Sequence, residues 1–126
     1  MKVSELDGPL LDFWVAQAEG NLTHDSTSPA NAVVEHYGIG GEVEGRSPLS
    51  SWAPSTEWDS GGPIIERAKI DLHAPPNIDA PDEWCDWAAS VNNPGVSYAM
   101  QYFGETPLIA AMRAYVASRF GDEVPE

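Results

Sequence analysis

Thr106-Pro107-Leu108-Ile109-Ala110-Ala111-Met112-Arg113-Ala114-Tyr115-Val116-Ala117-Ser118-Arg119-Phe120-Gly121 is the stretch on which the fold turns. Thr106 suits a helix N-cap, Pro107 the first helical position, where a missing N–H costs nothing, and Gly121 the stop. Between them Leu108, Ile109, Met112, Val116 and Phe120 share one face, which predicts an amphipathic helix. Such a helix needs a surface to pack on. Immediately upstream, residues 83–91 and 96–103 read as strands flanking Asn92-Asn93-Pro94-Gly95, a turn signal of the hairpin kind. In the second of them Tyr98, Met100 and Tyr102 share one face, and Ala99, Gln101 and Phe103 the other. Ile64-Ile65-Glu66-Arg67-Ala68-Lys69-Ile70 reads as a further strand. Near the start, Leu10, Leu11, Trp14, Val15 and Ala18 recur at helical spacing, with Asp7 as N-cap, Pro9 in the first turn and Gly20 after the end. The expected class is α+β: a small antiparallel β-sheet packed with an N-terminal and a C-terminal amphipathic helix, in one loop-rich domain over residues 1–126.

The remaining segments read as connections. Residues 21–51 are rich in Ser, Thr, Asn, Gly and Pro. Their main apolar run, Ala32-Val33-Val34 continuing into Glu35-His36-Tyr37, fits a strand or one helical turn. Gly38-Ile39-Gly40-Gly41 lacks the Lys-Ser/Thr ending of a phosphate-cradling loop and reads as a turn. Residues 52–63 read as an aromatic, turn-forming loop, and residues 71–82, with Pro75, Pro76 and Pro81, as an extended connection. Eleven Gly and eleven Pro in 126 residues imply modest helix content.

Twenty acidic against six basic residues give a formal charge of −14, which opposes direct binding to nucleic acid phosphates or to anionic membranes. The acids are scattered from Glu5 to Glu126, as on a solvated surface. The N-terminus carries acids where a signal peptide needs an apolar run, and no segment is long and apolar enough to span a bilayer, so a cytoplasmic protein is expected. A lone cysteine, Cys85, forms no internal disulfide and reads as a small hydrophobe between Trp84 and Trp87. His24, His36 and His73 are too dispersed for a metal site, and Ser55 and Ser60 lack a nucleophile-elbow pattern. No metal or cofactor and no catalytic residue is assigned.

The segment with the most binding chemistry is the loop at 52–63. Trp52 and Trp58 offer flat faces for a nucleobase or sugar, Ser55 and Thr56 small donors, Glu57 a carboxylate, and Gly61 and Gly62 close backbone approach. Arg67 and Arg113 stand out where cations are scarce, and a bound phosphate needs such groups. These nine residues form the candidate ligand site. The competing reading has Trp58 filling the core, Ser55 capping a turn, Gly61-Gly62 reversing the chain and both arginines paired to acids.

Three segments together resemble the NinX-like proteins of lambdoid phages and prophages. They are Lys2-Val3-Ser4-Glu5-Leu6 with the helix after it, Pro54-Ser55-Thr56-Glu57-Trp58 through Gly61-Gly62-Pro63-Ile64-Ile65-Glu66-Arg67, and Thr106-Pro107-Leu108-Ile109-Ala110-Ala111-Met112-Arg113 onward to Gly121-Asp122-Glu123-Val124. The resemblance implies a phage accessory protein acting inside a bacterial host, and brings no catalytic residue to carry over. The expected function is noncatalytic binding of a small host ligand, such as a nucleotide-type signal. The alternative is an acidic protein-interaction factor engaging a host or phage protein, and the third reading is an enzyme with an unfamiliar site.

Overall fold

The computed structural model describes residues 1–75, 86–91 and 101–125. The first helix, α1, spans Gly8–Glu19: the Asp7 carboxylate accepts from the Gly8 N–H, and Gly20 ends the helix at φ 74°. The C-terminal helix spans Pro107–Phe120, and Thr106 Oγ1 accepts from the Ile109 N–H at 3.1 Å. Its buried surface differs from the predicted stripe: Ala110, Ala111, Ala114 and Tyr115 are enclosed along with Leu108, Met112 and Val116, while Phe120 at the end of the helix is exposed. The alanines keep this helix thin enough to take α1 and a sheet together. Among the described residues about 41% are helical, more than the Gly and Pro counts implied. Some of those residues sit where helices accept them, Gly8 and Pro9 at one start and Pro107 at another.

The larger correction concerns residues 58–70. The expected loop and strand are instead a helix, α2, over Trp58–Ala68, followed by a strand, β3, over Ile70–His73. The Glu57 carbonyl starts the helix by accepting from the Ser60 and Gly61 N–H groups. Trp58, Gly61, Ile64, Ile65 and Ala68 then fall at helical spacing, and Ile64 is buried. Pro63 lies inside α2 and leaves a carbonyl one turn earlier without its helical donor, which solvent at the exposed Asp59 can replace. Tertiary packing outweighs local preference here.

Strands β3, β4 over Trp87–Val91 and β5 over Tyr102–Gly104 form an antiparallel sheet in that order, pairing Ile70 with Val91 and Ala89 with Tyr102. Of the two strands expected at 83–91 and 96–103, residues 83–85 and 96–100 lie outside the described residues, as do the turn at 92–95 and Cys85. The C-terminal helix, α3 in chain order, covers this sheet closely. A Cβ on Gly104 would stand 2.6 Å from the Ala110 amide nitrogen.

Residues 21–51 are more regular than a loop. Strands β1 over Val33–Tyr37 and β2 over Val43–Pro48 form an antiparallel hairpin, with the expected turn at 38–41 between them and a bulge at His36/Tyr37. β2 escaped the reading because it is mostly exposed and carries Gly45 and charges in place of apolar alternation. The hairpin base closes a second apolar cluster of Phe13, Ala16, Ala32, Val34 and Leu49, while Leu11 and Val15 of α1 enter the main one. The chain ends meet beside it: Val3 N–H donates to the Asp122 carbonyl and Val124 N–H to that of Met1, both at 2.9 Å.

Candidate functional site

The nine candidate residues fall into four places. Ser55 is enclosed, at 1% exposure, and its N–H donates to Asp12 Oδ1 at 2.9 Å. Trp52 is half-buried against both apolar clusters, and Gly61 is buried where α2 crosses Pro54 and Leu108. These three form a joint between the segment at 52–57 and the helices. Thr56, Glu57 and Trp58 stand outward at the start of α2, with Trp58 54% exposed and Gly62 half-buried one turn further on. Trp58 therefore does not fill the core.

The two arginines are held elsewhere. Arg67 Nη2 donates to both carboxylate oxygens of Glu19, at 2.6 Å to Oε1, and the Tyr115 hydroxyl donates to Glu19 as well. One carboxylate thus ties the C-terminal ends of α1 and α2 to α3. Arg113 donates from Nε to the Leu6 carbonyl at 2.8 Å and from Nη1 to the Phe103 carbonyl at 2.6 Å. A guanidinium has five N–H donors, so donors remain beyond these two bonds.

Arg113 faces an open groove of about 420 Å³ lined also by Lys2, Ser4, Asp86, Gln101, Tyr102, Phe103 and Asp122. Two of the chain's few cations meet here, and two carboxylates with them. The groove includes none of residues 52–63. Its partners come from the N-terminus, the residue before β4, the start of β5 with the residue before it, and the residues after α3, so no local motif could have announced it. Among the described residues no group of three His, Cys, Asp or Glu side chains is placed to hold a metal ion, and no helix is long and apolar enough to cross a membrane.

Asp12 is a buried carboxylate that the apolar reading of α1 passed over. It is 5% exposed, between Leu11 and Phe13. Burial lifts its pKa above the ordinary carboxylate range, and repulsion from Asp7 adds to this, while the Ser55 N–H pulls the other way. Since Ser55 Oγ makes no hydrogen bond among the described residues, the 2.9 Å bond from the Ser55 N–H is the one that opposes burial. A carboxyl whose pKa is raised by folding stabilises the fold below its unfolded pKa of about 3.9, and that contribution is lost as pH rises through the folded value. Asp12→Asn keeps the acceptor for Ser55 and removes the buried charge. Its denaturant midpoint is expected to equal or exceed the parent's at pH 7 and to fall less between pH 4 and 7. Asp12→Ala, which strands the Ser55 N–H, is expected to cost about 1–3 kcal/mol in the same titration.

A family model described as Bacteriophage P22, NinX matches residues 2–119. No curated protein matches the chain.

Proposed function

The chain belongs to the family of bacteriophage P22 NinX, and from that premise we propose a phage accessory protein that acts in the host cytoplasm as a noncatalytic binder of a small ligand. The observation that carries the reading is the fixed guanidinium of Arg113 in a groove that Lys2 also lines, in a chain of net charge −14. Two backbone carbonyls hold Arg113 in place, so little side-chain entropy is lost when it meets an anion. A nucleotide-type ligand suits the remaining lining. Its phosphate would pair with Arg113 and Lys2, its base would lie against Phe103, and Gln101, Asp86 and Asp122 would read amino and imino groups on the ring.

The test is calorimetric titration of the purified protein with adenosine and guanosine monophosphates and with inorganic phosphate, alongside native mass spectrometry of protein taken directly from host lysate. Lys2→Glu and Gln101→Ala are expected to weaken binding about tenfold, roughly 1.4 kcal/mol, with the melting temperature nearly unchanged. If Glu57→Ala or Trp58→Ala removes binding instead, the ligand sits at the start of α2. If neither assay finds a ligand, the reading fails.

A second reading, the acidic protein-interaction factor, draws on a different part of the molecule, the β1–β2 hairpin.

A further inference from the structure

Residues 37–43 gather Tyr37, Ile39 and Val43, three large apolar side chains that the fold leaves exposed. Ile39 is fully exposed at the tip, between Gly38 and Gly40, and contributes nothing to either apolar cluster. The stem below it is organised. Glu35 accepts from Arg46 Nε at 3.1 Å and pairs with Arg46 Nη2 at 3.0 Å, and the Tyr37 hydroxyl donates to Glu35 at 3.0 Å. On the other face His36 Nε2 and Ser47 Oγ share a 2.7 Å hydrogen bond.

The only Lys or Arg of the hairpin, Arg46, is thereby committed to Glu35, and Glu42 and Glu44 are left over. Their carboxylates both crowd Gly38: a Cβ built there would lie 2.6 Å from Glu42 Oε1 and closer still to Glu44 Oε1. Among the described residues neither has a cationic partner. Tyr37 and Val43 pair across the hairpin, but the Ile39 side chain above them, rimmed by two carboxylates, joins neither apolar cluster.

We propose that the hairpin tip is a docking knob for a basic protein surface, one that presents an apolar socket ringed by Lys or Arg. This gives the protein-interaction reading a site and a partner chemistry, and it is independent of the Arg113 groove. Charge complementarity selects the occupant: an apolar socket receives Ile39, and its cationic rim meets Glu42 and Glu44. A second copy is disfavoured, since like-charged rims would meet. The free edge of β2 is moreover blunted by Glu44, Arg46, Pro48 and the bulge. Anionic membrane is disfavoured by the same carboxylates.

The experiment places a photo-crosslinking amino acid at position 43 of the full chain in the bacterial host and maps the crosslinked peptides by mass spectrometry. The expected result is one dominant partner protein whose crosslinked peptides carry net positive charge. The crosslink yield should fall about tenfold when Glu42→Lys and Glu44→Lys are combined. With that partner purified, Ile39→Asp should weaken Kd at least about tenfold, and added salt should weaken the parent complex. Circular dichroism of every variant should match the parent, and Ile39→Asp should leave any ligand bound in the groove undisturbed. Crosslinks spread in proportion to protein abundance, crosslinks to the chain itself or to lipid, or a yield indifferent to charge reversal would each overturn the proposal.

Discussion

Met112→Asp is expected to abolish the cooperative thermal unfolding transition. Met112 is fully buried in the main apolar cluster, which brings together Val3, Leu6, Leu11, Val15, Ile64 and Tyr102. A carboxylate there meets apolar side chains and no cation, so it is either buried unpaired or protonated at a cost. Substitutions that bury an unpaired charge belong to the rare class costing more than about 4–5 kcal/mol. Domains of ordinary size have only about 5–15 kcal/mol in total. Val116→Asp, at another fully buried position of α3, is expected to do the same. The measurement is a circular dichroism melt at neutral pH. A variant melting within a few degrees of the parent would remove α3 from the centre of the core.

Gly61→Ala is expected to destabilise the protein by about 1–3 kcal/mol, the usual cost of overpacking. Propensity alone predicts the opposite sign, since Ala in a helix interior is better than Gly by about 0.5–1 kcal/mol. The geometry decides the contest. A Cβ at position 61 would collide with the Pro54 carbonyl oxygen, which is backbone and cannot swing aside, and would stand 2.6 Å from Leu108 Cδ2. Gly62 is the internal control. Its nearest neighbour would be Trp58 Cε3 at 3.8 Å, an ordinary contact, so Gly62→Ala should follow propensity and stabilise. Urea titrations of the two variants should therefore shift in opposite directions. A stabilising shift for both would mean that α2 does not cross Pro54 and Leu108, and would return residues 61–62 to a loop free to approach a ligand.

Legibility followed the range of the forces involved. The two helices announced by Asp7 with Gly20 and by Thr106 with Gly121 were readable because caps and spacing act within a few residues, and the structure has both. The hairpin turn at 38–41 was readable for the same reason, while β2 beside it was not. β2 exists by pairing with β1, whose apolar Val34 is what the core holds. Of the candidate site, Arg113 was picked out by scarcity of charge, but its groove partners Lys2, Gln101 and Asp122 come from distant segments. Asp12 and Glu19 carried a weaker signal, acids on a helix whose neighbours are apolar.

By itself the sequence determined the α+β class, the two capped helices, the net charge of −14 and the family resemblance, all properties of composition or of spacing along the chain. Only the tertiary structure decided that residues 58–68 are helical in spite of Gly61, Gly62 and Pro63, because the burial of Ile64 and the close crossing at Gly61 reward a helix that local propensity disfavours. It also decided which charges are spent and which are left over. Arg67 goes to Glu19 and Arg46 to Glu35, Arg113 is anchored on two carbonyls, and Glu42 and Glu44 crowd Gly38 with no cationic partner among the described residues. A charge finds its partner through space, across as many as 48 residues for Arg67 and Glu19, and no pattern along the chain encodes that distance.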